Sequence, residues 1–418
     1  MSQYDAAVIG GGIMGCATAL HLAENGMRVV VFERRSLCME ASGVNPGTLS
    51  LQIKRAALVP YALRGYELWK AMSARFGIDI WFQVRGGLTL AFDEGEAETL
   101  VQRMTERRAA GAPVEIVTGD QARALEPGLS KAVVLASYCP LDGYANASLT
   151  GVAFGAALMG AGAVVREGAN VTGIDRDGDG YTVRVGDTAT RAARIVIAGG
   201  VWLNHLSRML GSDLPIHCRV NMVSVTERCR PIVRMILGHA LGVLTLKQSH
   251  NGTVLIGGGW QGSGDRDRQV PTEVVFDNLR GNLRLAVHAV PRLVETRLVR
   301  VWHGLEAHVP DFLPLVGPLA GLANAFVIGC VRGGYTIGPY VGQLLGEAIL
   351  GRQPERPLFD PNRFAQASVE AGAQAPVVRC EQTLPRRNGR SWRRFTDERN
   401  RNPACCCESN VTWIAMPS

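Results

Sequence analysis

The chain contains 418 residues, of which 47% are hydrophobic and 19% are charged, with 49 glycines. The length and this composition are typical of a two-domain α/β protein and exclude a fibre and a disordered chain. No apolar run reaches the roughly 18–20 residues of a transmembrane helix, which excludes a membrane-spanning chain. Residues 371–418 contain eight arginines and four acidic residues, so they contribute +4 of the net charge of +7. The rest of the chain is close to neutral and does not indicate binding to nucleic acid. Without zinc-type cysteine spacing or a secretory signal, we expect a cytoplasmic, metal-free protein.

The first 33 residues predict a dinucleotide-binding unit. Apolar runs at 5–9 and 28–32 predict parallel strands, with a helix at 13–25 between them. The intervening turn reads GGGIMG at 10–15. In such a motif the first glycine permits the tight turn, the second lets a pyrophosphate approach and the third lets the helix pack on the strand. Glu33 ends the second strand, where an acid binds the adenosine ribose.

The segment that follows favours FAD over NAD. Residues 35–51 form a long loop rich in small residues, with Ala-Ser-Gly at 41–43 and Asn-Pro-Gly at 45–47. A nicotinamide dehydrogenase would continue directly into another helix and strand. An NAD-dependent dehydrogenase is therefore the weaker alternative.

Two kinds of segment alternate through the rest of the chain. Apolar runs at 194–198 and 325–329 predict further parallel strands, and 339–350 predicts a helix. The β-rich segments 81–92, 219–227 and 252–260 predict antiparallel strands.

These segments predict the α/β (α+β) class, with a Rossmann-type FAD-binding domain interleaved with an antiparallel-sheet substrate domain. The FAD-binding domain is predicted to combine residues 1–75, 140–215 and 311–365. The substrate domain is predicted to combine 76–139 and 216–310. Residues 371–418 lack an apolar pattern and are predicted to form a disordered basic tail.

Five motifs follow one another along the chain: GGGIMG at 10–15 with Glu33, ASGVNPG at 41–47, IAGGVW at 197–202, PDFLPLVG at 310–317 and GCVRGGYTIGP at 329–339. In this order, they resemble the motifs of the D-amino-acid-oxidase-like flavoenzymes, which include glycine oxidase and sarcosine oxidase. The resemblance spans about residues 4–365 and is greatest to the β-type subunits of opine oxidases, hydrogen cyanide synthase and sarcosine oxidase.

The resemblance implies non-covalent FAD, because Gly304 stands near the position where monomeric sarcosine oxidases carry a flavin-linking cysteine. It also implies that Gly333 and Gly334 precede a helix whose N-terminus faces the flavin pyrimidine. The residues implied to contact FAD are Gly10, Gly12, Ile13, Met14, Gly15, Glu33, Arg34, Ser42, Gly43, Asn45, Gly47, Val171, Ala198, Gly199, Trp202, Gly304, Arg332, Gly333, Gly334, Tyr335 and Thr336.

Three residues are predicted to form the catalytic site. Arg332 offers a two-pronged donor to a substrate carboxylate, with a structural arginine as the alternative. Glu306 stands where many glycine-oxidase-like enzymes place a second arginine, and it would pair either with a cationic group of an opine or basic amino acid or with a neighbouring arginine. Tyr335 would wall the pocket, with core packing as the alternative.

The resemblance implies oxidation of the CH–NH bond of a glycine, sarcosine, D-amino acid or opine by hydride transfer to flavin N5, giving an imine and then a keto acid. The alternative is a flavin-binding subunit of a multi-subunit amine or opine dehydrogenase with little turnover of its own. A homo-oligomer or partner subunits would fit either function. An electron acceptor in the inner membrane would place the protein at that membrane's surface.

Overall fold

The structure is a computed structural model that describes residues 3–265 and 270–364. The predicted tail at 371–418 lies outside the described residues. The strands are β1 (Tyr4–Ile9), β2 (Val29–Phe32), β3 (Thr48–Leu49), β4 (Gln83–Val84), β5 (Gly87–Ala91), β6 (Glu115–Thr118), β7 (Leu135–Cys139), β8 (Gly143–Tyr144), β9 (Val164–Arg166), β10 (Gly173–Asp177), β11 (Gly180–Val185), β12 (Thr188–Ile197), β13 (His217–Thr226), β14 (Ile236–His239), β15 (Thr245–Gln248), β16 (Val254–Gly257), β17 (Ser263–Asp265), β18 (Val270–Glu273), β19 (Leu298–His308), β20 (Leu315–Pro318) and β21 (Ala325–Gly329). The α-helices are α1 (Ile13–Glu24), α2 (Ala41–Val44), α3 (Val59–Phe76), α4 (Glu94–Ala109), α5 (Gly119–Leu125), α6 (Ala147–Gly160), α7 (Leu203–Arg208), α8 (Phe276–Ala289) and α9 (Gly334–Ile349).

The first large sheet contains the predicted dinucleotide unit. Its strands follow the order β10-β11-β12-β1-β2-β9, with β21 also paired to β12 and β20 to β21. The pairings among β1, β2, β9, β12 and β21 are parallel, whereas β10–β11, β11–β12 and β20–β21 pair antiparallel. Successive residues of β1 enter two different hydrophobic clusters, with Ala6 and Val8 in one and Ala7 and Ile9 in the other. The sheet is therefore covered on both faces, as the continuous apolar runs predict.

The second large sheet has the order β19-β13-β16-β15-β14-β5-β7-β6. Its pairings are antiparallel except for β14 beside β5. Because its strands come from chain segments between those of the first sheet, the two sheets are interleaved in sequence. This confirms the predicted fold class, while the domain boundaries stay a prediction. No helix within the described residues is both long and apolar enough to span a bilayer.

Helix α9 begins five residues before its predicted start. The sequence indicated a helix from about residue 339, but Pro339 lies inside α9. A proline at this position leaves the carbonyl of Tyr335 without its usual helical donor. The indole Nε1–H of Trp69 donates to that carbonyl at 3.0 Å and so replaces the missing N–H.

Helices α1 and α9 pack with their backbones close together. A Cβ at Gly342 would lie 2.5 Å from the Cβ of Ala17, and one at Gly338 would lie 2.8 Å from Ile13. Thr18 strengthens the contact, since its hydroxyl donates to the Gly342 carbonyl at 3.2 Å. Because both helices start at the same cavity, this contact fixes the two starts relative to each other.

Candidate active site

A cavity of about 1270 Å³ is lined by residues of both large sheets. This volume exceeds that of a typical small-molecule pocket, so it has room for a large cofactor and a substrate together. Of the residues assigned to FAD by sequence, those lining the cavity are Gly10, Gly12, Ile13, Met14, Gly15, Glu33, Arg34, Ser42, Asn45, Val171, Ala198, Gly199, Trp202, Gly304, Arg332, Gly333, Gly334 and Tyr335. The other three are Gly43, Gly47 and Thr336.

These three residues pack against protein atoms instead. A Cβ at Gly43 would lie 2.0 Å from the carbonyl oxygen of Cys38, and one at Gly47 would lie 2.0 Å from that of Ala145. Thr336 is fully buried in α9. The two glycines thus allow the loop after β2 to contact the backbone behind it, and their contact with FAD stays a prediction.

The glycine turn fits the FAD that the resemblance implies. Gly10 has a φ of +111°, and a Cβ there would lie 2.4 Å from the Ala198 carbonyl oxygen, so this glycine is required by the fold itself. A Cβ at Gly12 would have the Ser42 Oγ as its nearest neighbour at 3.5 Å, which leaves open space at the cavity wall. That opening lies at the N-terminus of α1, where backbone amides favour an anion such as a pyrophosphate.

Charged and aromatic side chains line the end of the cavity where the sequence predicts the adenosine. Glu33 accepts the Gly11 amide at 2.8 Å and the Arg35 amide at 2.8 Å, which positions its carboxylate at the end of β2. The Arg34 guanidinium lies 3.5 Å from the centre of the Trp202 ring. Carboxylate oxygens accept more than one donor, so Glu33 retains capacity for a ribose hydroxyl.

The loop after β2 closes over the start of α1. The hydroxyl of Ser42 accepts the Ile13 amide at 3.0 Å, which caps α1 from outside its own chain segment. Asn45 braces the same loop, because its side-chain amide donates to the carbonyls of Ala41 and Ser42 at 2.8 Å and its oxygen accepts the Gly47 amide. The small residues of 41–47 therefore build a rigid cavity wall.

Glu306 accepts hydrogen bonds from two neutral groups. Its Oε1 accepts the Gly333 amide at 3.0 Å, and its Oε2 accepts the Asn221 side-chain amide at 2.8 Å. Gln261 fixes Asn221 in turn, donating to its oxygen at 2.7 Å. Arg219 of β13 is the cross-strand neighbour of Glu306, so both alternatives for Glu306, pairing with a substrate cation or with an arginine, stay predictions.

Arg332 immediately precedes this start and lines the cavity. Its Nη2 lies beside Gly259, where a Cβ would approach it to 3.0 Å. Among the residues that the structure describes, no carboxylate pairs with it. Burial is the main cause that lowers the pKa of His308 to about 4, and the charges of Arg219, His217 and Arg332 contribute to this shift, so His308 is neutral at pH 7.

Tyr335 contributes to the cavity wall, but its hydroxyl is committed elsewhere. It shares a hydrogen bond of 2.8 Å with the Thr150 hydroxyl, and its ring lies 4.4 Å from that of Trp69. Burial raises the pKa of the phenol strongly, so it stays protonated. This geometry favours the packing alternative for Tyr335, and a catalytic role stays a prediction.

Lys54 is a cavity residue that sequence reasoning missed. Its side chain is buried, and its Nζ donates to the Gly333 carbonyl at 2.7 Å. Burial lowers the pKa of Lys54 to about 8 from 10.5, against the opposing charges of Asp142 and Glu306. No local motif marks this lysine, because only the tertiary fold brings residue 54 to the start of α9.

Comparison with known proteins identifies a family of flavin-dependent enzymes with the same fold. The family model described as FAD dependent oxidoreductase (DAO) matches residues 5–348. Glycine oxidase of Geobacillus kaustophilus is 30% identical over 356 residues, covering 83% of this chain and 93% of the relative. An opine oxidase subunit of Rhizobium meliloti is 26% identical, covering 88% of this chain and 100% of the relative. The crystal structure of the Geobacillus kaustophilus glycine oxidase superposes with a TM-score of 0.79 at 28% identity, covering 87% of this chain and 99% of that one.

Proposed function

The chain belongs to the DAO family of FAD-dependent oxidoreductases, and from this we propose that it oxidises the CH–NH bond of an amino acid or an N-substituted amino acid. The observation that carries the proposal is Arg332, a guanidinium without a carboxylate partner among the described residues, at the cavity wall beside the start of α9. The relatives that are named as glycine oxidase and as an opine oxidase component support the same substrate class.

Bound FAD supplies the acceptor for the hydrogen and two electrons that leave the substrate carbon. The residues that would hold it are those of the GGGIMG turn, Glu33 and the loop at 41–47. Ser42 keeps the turn and the loop together through its bond to the Ile13 amide. Gly304 has no side chain to link to a flavin, and a Cβ there would meet Val44 at 2.5 Å, which is consistent with non-covalent binding.

The protein's own contribution is to orient the substrate. Arg332 binds the substrate carboxylate through two parallel N–H donors, which fixes the adjacent carbon as well as the charge. Glu306 presents its negative charge near the substrate nitrogen and favours uptake of the cationic amine, which then loses a proton before oxidation. Loss of the α-hydrogen with its bonding electron pair from the neutral amine leaves a protonated imine, and water converts it to a carbonyl compound and a protonated amine. Such a reaction depends on positioning more than on acid–base catalysis.

A second candidate function is that of a catalytic or assembly subunit in a larger complex. It is favoured by the similarity to opine oxidase subunits from two organisms, each matched over its whole length. In that case the chain would carry the same site but pass electrons to a partner. Reoxidation of the reduced protein by air, without any partner, would contradict this candidate.

The test is an anaerobic absorbance titration of the purified, FAD-loaded chain with glycine, sarcosine, D-amino acids and N-carboxyalkyl amino acids. We expect one class to bleach the flavin bands. Arg332→Met should raise the half-bleaching concentration about 10- to 100-fold, since a charge-assisted bond contributes about 1.5–3 kcal/mol. The control is Arg280→Met, on the exposed surface of α8. A flavin that no substrate bleaches, or equal behaviour of the two variants, would contradict the proposal.

A further inference from the structure

Three cations line one wall of the cavity without a carboxylate partner. Lys54 is 3% exposed, and its Nζ donates to the Gly333 carbonyl at 2.7 Å. The Nε of Arg107 donates to the Lys54 carbonyl at 2.6 Å, and Nη1 of Arg103 donates to the Ala240 carbonyl at 2.5 Å. Each bonded partner is a neutral carbonyl oxygen. Among the described residues no acidic oxygen lies within ion-pair distance of these three side chains.

Such an arrangement is costly unless an anion completes it. Burial lowers the pKa of Lys54 to about 8, and burial together with the charge of Arg103 lowers the pKa of Arg107 to about 10. Buried charges in proteins are normally paired or bound to a ligand of opposite charge. Both side chains nevertheless keep unused N–H donors at the cavity wall.

The carboxylates near this wall either form no ion pair with the three cations or are engaged elsewhere. Glu106 lines the same cavity, and its charge raises the pKa of Arg107 without an ion pair between them. Asp142 accepts the Ser50 hydroxyl, the Leu51 amide at 2.8 Å and the Gln52 side-chain amide at 3.0 Å. Glu306 is held by a backbone amide and a side-chain amide, as described above. A ligand would therefore supply the ion-pair partner that Lys54, Arg103 and Arg107 lack among the described residues.

We propose that Lys54 and Arg107, with Arg103 beside them, form a second anion subsite that binds the distal carboxylate of a dicarboxylic secondary amine. This rests on the proposed function, in which Arg332 binds the first carboxylate. The substrate class is then an N-carboxyalkyl amino acid rather than glycine or sarcosine.

The positions of the charges support this substrate class. Arg332 precedes Gly333 in the chain, Lys54 bonds the carbonyl of Gly333 and Glu306 bonds its amide. The side chains of Lys54 and Glu306 thus both bond Gly333 at the start of α9, and Arg332 is the residue before it. An N-carboxyalkyl amino acid carries the complementary set, with two carboxylates and one amine.

Negative charge at this wall has two possible sources, the second carboxylate of the substrate and the reduced flavin. A substrate carboxylate predicts that the wall discriminates between ligands with one and two carboxylates. Flavin charge predicts instead that removing the cations lowers the flavin midpoint potential and affects both ligands equally. Measuring ligand preference and midpoint potential on the same variants separates the two.

The experiment compares two unreactive ethers, diglycolate with two carboxylates and methoxyacetate with one, by calorimetric titration of the FAD-loaded full chain. Neither has a nitrogen, so binding is measured without turnover. We expect the unaltered protein to bind diglycolate at least about tenfold more tightly. Lys54→Met and Arg107→Met should each reduce that preference at least about fivefold, while Lys54→Arg should retain most of it.

The matched control is Arg108→Met, next to Arg107 on α4 but bonded to the Val114 carbonyl and absent from the cavity wall. Equal affinity of the unaltered protein for the two ethers would overturn the inference without requiring any variant to fold. The inference would also be overturned if Lys54→Met and Arg107→Met kept the preference for diglycolate over methoxyacetate, whether or not the flavin midpoint potential fell. Failure of the proposed function is a separate outcome, because it concerns bleaching by amines and not binding of ethers.

Discussion

Replacing Lys54 with methionine should change how the stability of the protein depends on pH. The fold lowers the pKa of Lys54 from 10.5 to about 8, so between these values the unfolded chain binds more protons than the folded one. Linkage then makes the free energy of unfolding rise with pH in this window. The penalty of the buried charge is fully present below pH 8 and is lost as the pH approaches 10.5. From these two pKa values we expect a gain of roughly 2–3 kcal/mol between pH 7 and pH 10.

Lys54→Met lacks this group, so its unfolding free energy should rise less over the same range. Urea denaturation of both proteins at pH 7, 8, 9 and 10, with and without FAD, measures the difference. A constant packing change shifts the variant's curve but does not alter its slope with pH. Lys70→Met, at an exposed position of α3, should run parallel to the unaltered protein. Parallel curves for Lys54→Met as well would refute the placement of a buried charge at the cavity.

Three further changes test the glycine turn, a buried carboxylate and a tyrosine. Gly12→Ala should fold normally but bind FAD at least about tenfold more weakly in a fluorescence titration, because the added Cβ would enter the space of the cavity. The control Gly160→Ala should bind FAD normally, since no atom lies within 4 Å of the added Cβ. Asp142→Ala should lower the unfolding free energy by about 3 kcal/mol in urea, since three buried donors lose their acceptor. Tyr335→Phe should lower it by about 1–2 kcal/mol through the lost bond to Thr150 while kcat stays unchanged. A fall in kcat at unchanged stability would instead support the predicted catalytic role.

The dinucleotide half of the site could be predicted from sequence because its signals are local. The strand, glycine turn, helix and acid at residues 5–33 follow one another directly, and each is specified by a few neighbouring residues. The strand predicted at 325–329 is likewise confirmed by β21. The strands at 5–9, 28–32 and 325–329 were predicted from uninterrupted apolar runs, which indicate a strand that is buried on each face of its sheet.

The substrate half depends on contacts that are distant in the chain. The apolar pattern placed the start of α9 five residues too late because α9 contains an internal proline, and the carbonyl that this proline leaves free is bonded by Trp69, which lies 266 residues away. Lys54 meets Gly333 across 279 residues, and Glu306 meets Asn221 across 85. No periodicity or motif encodes such pairs, so the sequence suggested Glu306 and Arg332 as a site but could not identify the partners of either.

The close packing of α1 on α9 has a consequence for engineering this scaffold. The glycines of α9 leave no room for a side chain between the helices, so a substitution there would displace the start of α1 together with the start of α9. Attempts to redirect substrate choice by redesigning α9 would therefore impair cofactor loading at the same time. A library is better placed on the second sheet, at Asn221 of β13 and its neighbour Gln261, whose side chains position Glu306 through hydrogen bonds and do not pack between the two helices.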